Sequence, residues 1–417
     1  MPERGYLQTV DEFFPKVSRG RMLPYSPHCP SENISRPELN PNQPTTIMKK
    51  LDPSPSRRSF IKGSSLGLAL AASGNALRGK SLKKPASPAK VKLGFDNFSI
   101  RALGWKADKL LEYAGKQKVD TILFSDLDVY ESFDPGYLKE LKQEGDRLGL
   151  AIQAGTGGIC PTSPRENKKH GSAEEHLKLL IRVAKALGSK AARCYLGSMQ
   201  DRKGEGGIKR HVDSTIAVCK KVKKHALDAG VKIAIENHAG DLHSRELVEL
   251  IERAGPDYVG ATLDTGNATW TLEDPVETLE NLAPFAVSSG IRDSMVWESE
   301  KGATVQWTAM GEGCVDVRKF AERWKALCPG APVQLETISG FAKPFNYLES
   351  EFWGPYQGIR ADDFSKFVSL AKKGKPIKPF KAPDGVDRKK AQQDYQLAEL
   401  ERSIRFCRSE LGLGIKS

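Results

Sequence analysis

Residues 231–240 read VKIAIENHAG. A short apolar run behind Gly230 is the pattern of a buried parallel strand, and it sets Glu236, Asn237 and His238 where that strand leaves its sheet. In a barrel of parallel strands, polar side chains at this end are placed for chemistry. The design recurs twice: VGATLDTGN (259–267) ends its apolar run in Asp264, and APVQLETISG (331–340) in Glu336. Three strand-end carboxylates on separate strands are the donors that a divalent cation such as Mn²⁺, Mg²⁺ or Zn²⁺ accepts. Each acid also has a plainer use, since strand-end acids cap helices, and Asp264 before Thr-Gly-Asn can simply turn the chain.

Working outward, apolar runs ending in polar residues fall at 91–97, 119–126, 148–155, 190–197, 231–238, 259–265, 284–293 and 332–338. Segments of helical period separate them, at 106–117, 135–148, 173–187, 208–229, 244–254, 275–282 and 315–327. Eight alternations predict an α/β fold, the (β/α)₈ TIM barrel, over 91–373. No GxGxxG follows the first strand, which removes the usual dinucleotide reading. Beyond the last strand, the aromatic-dense stretch 340–360 is placed either to cover the rim or to act as a substrate lid. A helix over 362–372, a basic Pro-broken linker at 374–387 and a long helix over 388–411 within a terminal segment 388–417 complete the chain.

The 417 residues carry a formal charge of +12, which at first suggests nucleic acid. Divided along the chain, Lys and Arg outnumber Asp and Glu by 12 to 6 in residues 1–80 and again in 371–417, whereas 81–370 balance at 40 against 40. The body is neutral, so no phosphate-tracking surface is implied and nucleic acid is not an expected partner. The seven cysteines show no CxxC spacing and read as core thiols.

Residues 1–47 are rich in Pro, Asn and Ser without periodicity, and disorder is expected. Within 48–80, Ser56-Arg57-Arg58-Ser59-Phe60-Ile61-Lys62 followed by SSLGLALAASGNAL resembles a twin-arginine export signal, too short and Gly/Ala-rich to span a bilayer stably. Periplasmic or exported location is therefore expected, with translation starting at Met48 and a linker at 81–90.

From 91 to 370 the chain resembles the xylose isomerase-like barrel family, which includes sugar epimerases, hydroxypyruvate isomerase, inosose dehydratase and the endonuclease IV family. The resemblance rests on ENHAGD (236–241), LDTGN (263–267), GIRDS (290–294), MGEGCVD (310–316) and QLET (334–337). It implies that Glu236, Asp264 and Glu336 are metal ligands and that Glu236 and Glu336 are the catalytic acid/base pair. The family's strand-seven His, in a His-x-Lys-Asp context, is absent: Gly290-Ile291-Arg292-Asp293 stands there, and no His follows His243. His238, two residues beyond Glu236 on an extended strand, Gln306, or water are the alternatives for the fourth ligand. His238 equally suits substrate binding or general-acid work. The histidines that endonuclease chemistry needs are missing as well.

Asp126, Arg193, Tyr195, Arg292 and Gln306 complete the expected sugar-binding set, with Asp96 and Asn97 ending the first strand. Arg193 could instead be a paired interior arginine, and Arg292 with Asp293 a mutual ion pair. The glycines of GTGG (155–158) and GEG (311–313) could cradle an anion or make tight turns. The reaction expected by resemblance is proton abstraction beside a carbonyl through a metal-stabilised enediolate, by an isomerase or epimerase acting on a sugar or keto sugar acid. The altered strand seven also fits a decarboxylase or lyase of a 3-oxo sugar acid resembling oxo-isoapionate decarboxylase. A non-catalytic exported sugar-binding barrel is the reading from another class, and assembly into a homo-oligomer is compatible with all three.

Overall fold

The structure, a computed structural model, describes residues 90–416. The expectations for the export signal, for 1–47, for the start at Met48 and for nearly all of the 81–90 linker lie outside the described residues. No helix among those described is long and apolar enough to cross a membrane.

Strands β1 (Leu93–Asp96), β2 (Thr121–Phe124), β3 (Ala151–Gly158), β4 (Ala191–Tyr195), β5 (Lys232–Glu236), β6 (Val259–Asp264) and β7 (Ala286–Gly290) pair in parallel in chain order. A hairpin of β8 (Asp293–Ser299) and β9 (Gly302–Thr308) follows, then β10 (Val333–Leu335), which pairs in parallel with β1, and β11 (Ala342–Phe345). The ring closes between β7 and β10 through an isolated bridge of Ile291 with Leu335. There Ile291 N–H donates to Gln334 O at 2.7 Å and Glu336 N–H to Ile291 O at 2.9 Å. Buried aliphatic residues on both faces of these strands, such as Ile233 and its opposite-face neighbour Ala234 of β5, explain the continuous apolar runs.

Helices α1 (Ala107–Lys116), α2 (Pro135–Arg147), α3 (Ala173–Leu187), α4 (Gly207–Lys221), α5 (Lys223–Ala229) and α6 (Ser244–Ala254) precede a short α7 (Thr265–Trp270), and α8 (Pro275–Leu282) and α9 (Val317–Leu327) follow. Their ends carry legible signals: Ser172 and Glu175 form a capping box on α3, and Gly188 closes it with φ 73°. The single helix expected over 208–229 is two, separated at Val222 (φ −102°, ψ 6°) with neither Gly nor Pro to announce it.

Two features of the barrel mouth differ from expectation. Between 293 and 315, and again after 340, where no strand is expected, lie β8, β9 and β11, which form a separate antiparallel sheet at the rim. The segment 374–387 is laid partly against the molecule rather than left wholly to solvent, because Phe380 N–H donates to Gly340 O at 2.9 Å and its ring stacks on Tyr395 at 4.1 Å. After α10 (Ala361–Ala371), the last helix, α11 (Arg388–Ser409), buries Leu400, Ile404 and Cys407 and accepts the Ala102 N–H through Gln396.

Candidate active site

Strand-end register brings the three acids together. Glu236 ends β5, Asp264 ends β6 opposite Gly290 of β7, and Glu336 follows β10, so that carboxylate oxygens of all three lie within 4.8 Å of one another. All are buried, at 1%, 0% and 4% exposure. Asn237 locks the two middle strand ends, donating to Asp264 O at 2.8 Å and accepting Asp264 N–H at 2.9 Å. The plainer reading of Asp264 holds, since Oδ1 caps α7 by accepting Asn267 N–H at 2.8 Å, while Oδ2 faces the cluster.

Two guanidiniums sit among these acids. Arg193 Nε donates to Glu236 Oε2 at 2.5 Å, and its Nη1 reaches the Thr156 and Ser125 carbonyls at 3.1 and 3.3 Å. Burial opposes the Arg193 charge, but Glu236, Asp96 and Glu336 hold its pKa above the ordinary value. Arg292 Nη2 donates both to Asp264 Oδ2 and to Glu336 Oε2. The expected ion pair of Arg292 with Asp293 is not formed. Asp293 instead accepts Ser294, Gly311 and Gly313 N–H at 2.7, 3.1 and 2.9 Å, so the GEG turn cradles the protein's own carboxylate.

A column of side chains covers Arg292. Trp307 lies 4.3 Å from its guanidinium carbon, Trp270 stacks on Trp307 at 4.3 Å, and Lys343 Nζ sits 3.6 Å over Trp270. Phe341 packs edge-on against both tryptophans, which fixes the start of the aromatic stretch 340–360 beside the site. Tyr356 from its other end donates to Trp270 O at 3.3 Å. Burial and Lys203 lower the Lys343 ammonium to about 7.

The remaining expected residues divide. His238 stacks on Tyr195 with ring centres 3.7 Å apart and its Nδ1 lies 2.7 Å from Gly197 O. A carbonyl accepts, so Nδ1 carries the proton and Nε2 is left as an acceptor. Burial and Arg193 push its pKa down to about 3, so the ring is neutral. It stands outside the group of acids whose donor atoms converge. Asp126 accepts Asp128 N–H at 2.8 Å at the start of a short turn, its carboxyl raised by burial. Gln306 faces away from Arg292, because its strand neighbour Trp307 faces toward it. Gln306 Nε2 donates to Lys378 O at 3.4 Å.

Trp270, Trp307 and Lys343 carry no motif that would have marked them in the sequence. Asp96, expected at the end of the first strand, lies there: burial and then Glu336 push it up to about 8, leaving a protonated carboxyl near the site at neutral pH.

The donor chemistry of the three acids suits a hard divalent cation, and their spacing allows one. In this arrangement, however, the point shared by Asp264 and Glu336 is held by the Arg292 guanidinium. The residues as placed do not fit a metal ion there unless Arg292 leaves.

The chain belongs to the xylose isomerase-like TIM barrel family, whose model matches residues 110–350. It is 22% identical over 209 residues to a 3-oxo-isoapionate decarboxylase of Pectobacterium atrosepticum, an alignment covering 50% of this chain and 68% of that protein. Among solved structures it is similar to a D-psicose 3-epimerase crystallised in the presence of D-fructose, at 13% identity and a TM-score of 0.49 over 77% of this chain and 99% of that one. The IOLI protein with a bound zinc atom is 18% identical with a TM-score of 0.46, over 69% of this chain and 100% of that one.

Proposed function

We propose that this protein is a carbohydrate isomerase or epimerase that moves a proton beside a carbonyl through an enediolate. The observation that supports this most is the convergence of Glu236, Asp264 and Glu336 within 4.8 Å at the C-terminal mouth of the barrel. Glu336 is the base: among the described residues Arg292 holds its Oε2, while no hydrogen bond reaches Oε1. The carbon–hydrogen bond electrons pass to the carbonyl oxygen, whose new charge is stabilised by preplaced cationic groups in a dry site. Arg193 and Arg292 are the guanidiniums that touch the acids. Delivery of a proton to the opposite face by way of Glu236 gives the epimer; delivery to the neighbouring carbon, with the adjacent hydroxyl proton passing to the former carbonyl oxygen, gives the isomer. Asp96 keeps a proton at neutral pH and is a reserve donor.

Decarboxylation of a 3-oxo sugar acid is the second reading, favoured by the relative named above. Loss of CO₂ supplies the same electron pair, which is then protonated. The substrate class is a keto sugar or keto sugar acid, met outside the cytoplasm if the Arg57-Arg58 segment directs twin-arginine export. Fractionation of cells expressing the full chain, with Arg57→Lys/Arg58→Lys as control, checks that route.

Incubation with a panel of keto sugars and keto sugar acids in D₂O tests the reaction. Deuterium at carbon without CO₂ identifies an isomerase or epimerase, and CO₂ release identifies the decarboxylase. Glu336→Gln is expected to lower either rate by about 10²–10⁴-fold. Binding of sugars with neither exchange nor CO₂ would leave a non-catalytic barrel.

A further inference from the structure

We infer that the cation of this three-carboxylate centre is the protein's own Arg292 guanidinium, built in by the fold, and that the centre is thereby closed to divalent ions. The inference refines the catalytic reading above and does not depend on which reaction follows.

Nη2 of Arg292 bonds one oxygen of Asp264 and one of Glu336 at once, the bridging contact that an ion between these two acids would make. A unit positive charge a few ångströms from a divalent ion in a buried site repels it even at a generous effective dielectric. Arg193 on Glu236 engages the third acid, so each carboxylate of the group already has a guanidinium partner.

Four separate features hold Arg292 where it is. Gly266 supplies room for its stem, since a Cβ there would lie 2.4 Å from Arg292 Cδ. Gly290 supplies room for the acids, since a Cβ there would lie 2.8 Å from Glu336 Oε2 and 2.9 Å from Asp264 Oδ2. Thr265 clamps the backbone, accepting Arg292 N–H at 2.9 Å and donating to Arg292 O at 2.6 Å. Trp307 closes the open face of the guanidinium and is itself fixed by donating Nε1–H to Gly266 O at 2.9 Å. A side chain that merely drifted into a vacant ion site would need none of these.

Arg292 also keeps hydrogen-bonding capacity. Its Nε and Nη1 are buried without a partner among the described residues. Buried unpaired donors on a charged group are costly unless another group completes them. A substrate oxygen that becomes anionic is such a group, so the same guanidinium that ties the acids is available to an enediolate.

Metal binding tests this independently of turnover. The full chain, purified without chelator, is analysed for bound metals and titrated with MnCl₂ and ZnCl₂ in a calorimeter beside Arg292→Ala. The wild type should carry far less than one equivalent and bind Mn²⁺ about 100-fold more weakly than Arg292→Ala, from which the repelling charge has gone. Asp264→Asn added to Arg292→Ala should abolish the gained affinity, which locates the ion. Crystals of the wild type soaked in MnCl₂ keep the test decisive if Arg292→Ala does not fold: anomalous density on Glu236, Asp264 and Glu336 with Arg292 swung aside overturns the inference. One firmly bound equivalent in the wild type, or equal affinities in the two proteins, overturns it too. Absence of deuterium exchange or CO₂ release would defeat the catalytic reading and leave this result standing.

Discussion

At position 290 the chain has a glycine facing two carboxylates, and the absence of a side chain there is what lets Asp264 and Glu336 share Arg292. Gly290→Ala is expected to force both acids apart, destabilising the fold by about 1–3 kcal/mol as an overpacked site and lowering turnover more than substrate affinity. Chemical denaturation together with separate kcat and KM measurements checks this, and wild-type values for all three would refute the steric argument. The choice of Arg rather than Lys two residues later has a related basis. A planar fork bonds two carboxylates and stacks on Trp307 at once, which a compact ammonium cannot do.

Among the elements, the hairpin of β8 and β9 does the most to define the site, because it carries Asp293 at its start and Trp307 near its end. Asp293 ties the hairpin to the following turn by accepting the Gly311 and Gly313 N–H groups through one oxygen and Ser294 N–H through the other. Asp293→Asn must turn an NH₂ toward one of these sets of donors. The expected loss is about 1–3 kcal/mol of stability, measured by urea unfolding, with a weakened Trp307 cover seen as a shift in tryptophan fluorescence. Unchanged unfolding and emission would mean that the turn holds itself.

For the molecule as a whole, the buried titratable groups set the pH range of stability. Burial raises Asp96 to about 8, Asp241 to about 8 and Asp293 to about 7, all from 3.8. Above pH 4 the folded state therefore holds protons that the unfolded chain has released, and stability declines until the folded values are passed. His238, lowered to about 3 from 6.5, works the other way, but only below pH 6.5. Lys343, lowered to about 7 from 10.5, adds stability as pH rises above 7. Stability should thus fall from pH 6.5 to 8, by roughly 1.4 kcal/mol per pH unit for each acid still protonated. The fall is steepest below pH 7, where Lys343 does not yet oppose it. Urea midpoints at pH 6.5, 7 and 8 check the slope; a flat or rising series would mean that these acids stay ionised.

The barrel itself was written in the local pattern. The strands read as short continuous apolar runs and the helices between them as a 3.6-residue period, both of which neighbouring residues alone dictate, and the three acids are legible because each ends such a run. The break at Val222 was not legible because neither Gly nor Pro marks it, and the rim sheet and the GEG cradle around Asp293 were not because each depends on contacts between separated segments. The same holds for the centre. Sequence determined which carboxylates stand at the strand ends and that no histidine follows His243. Only the closing of β7 against β10, with Trp270 and Trp307 stacked above, decided that Arg292 lies between Asp264 and Glu336, because the energy of a buried charge depends on which opposite charges the fold brings within bonding distance.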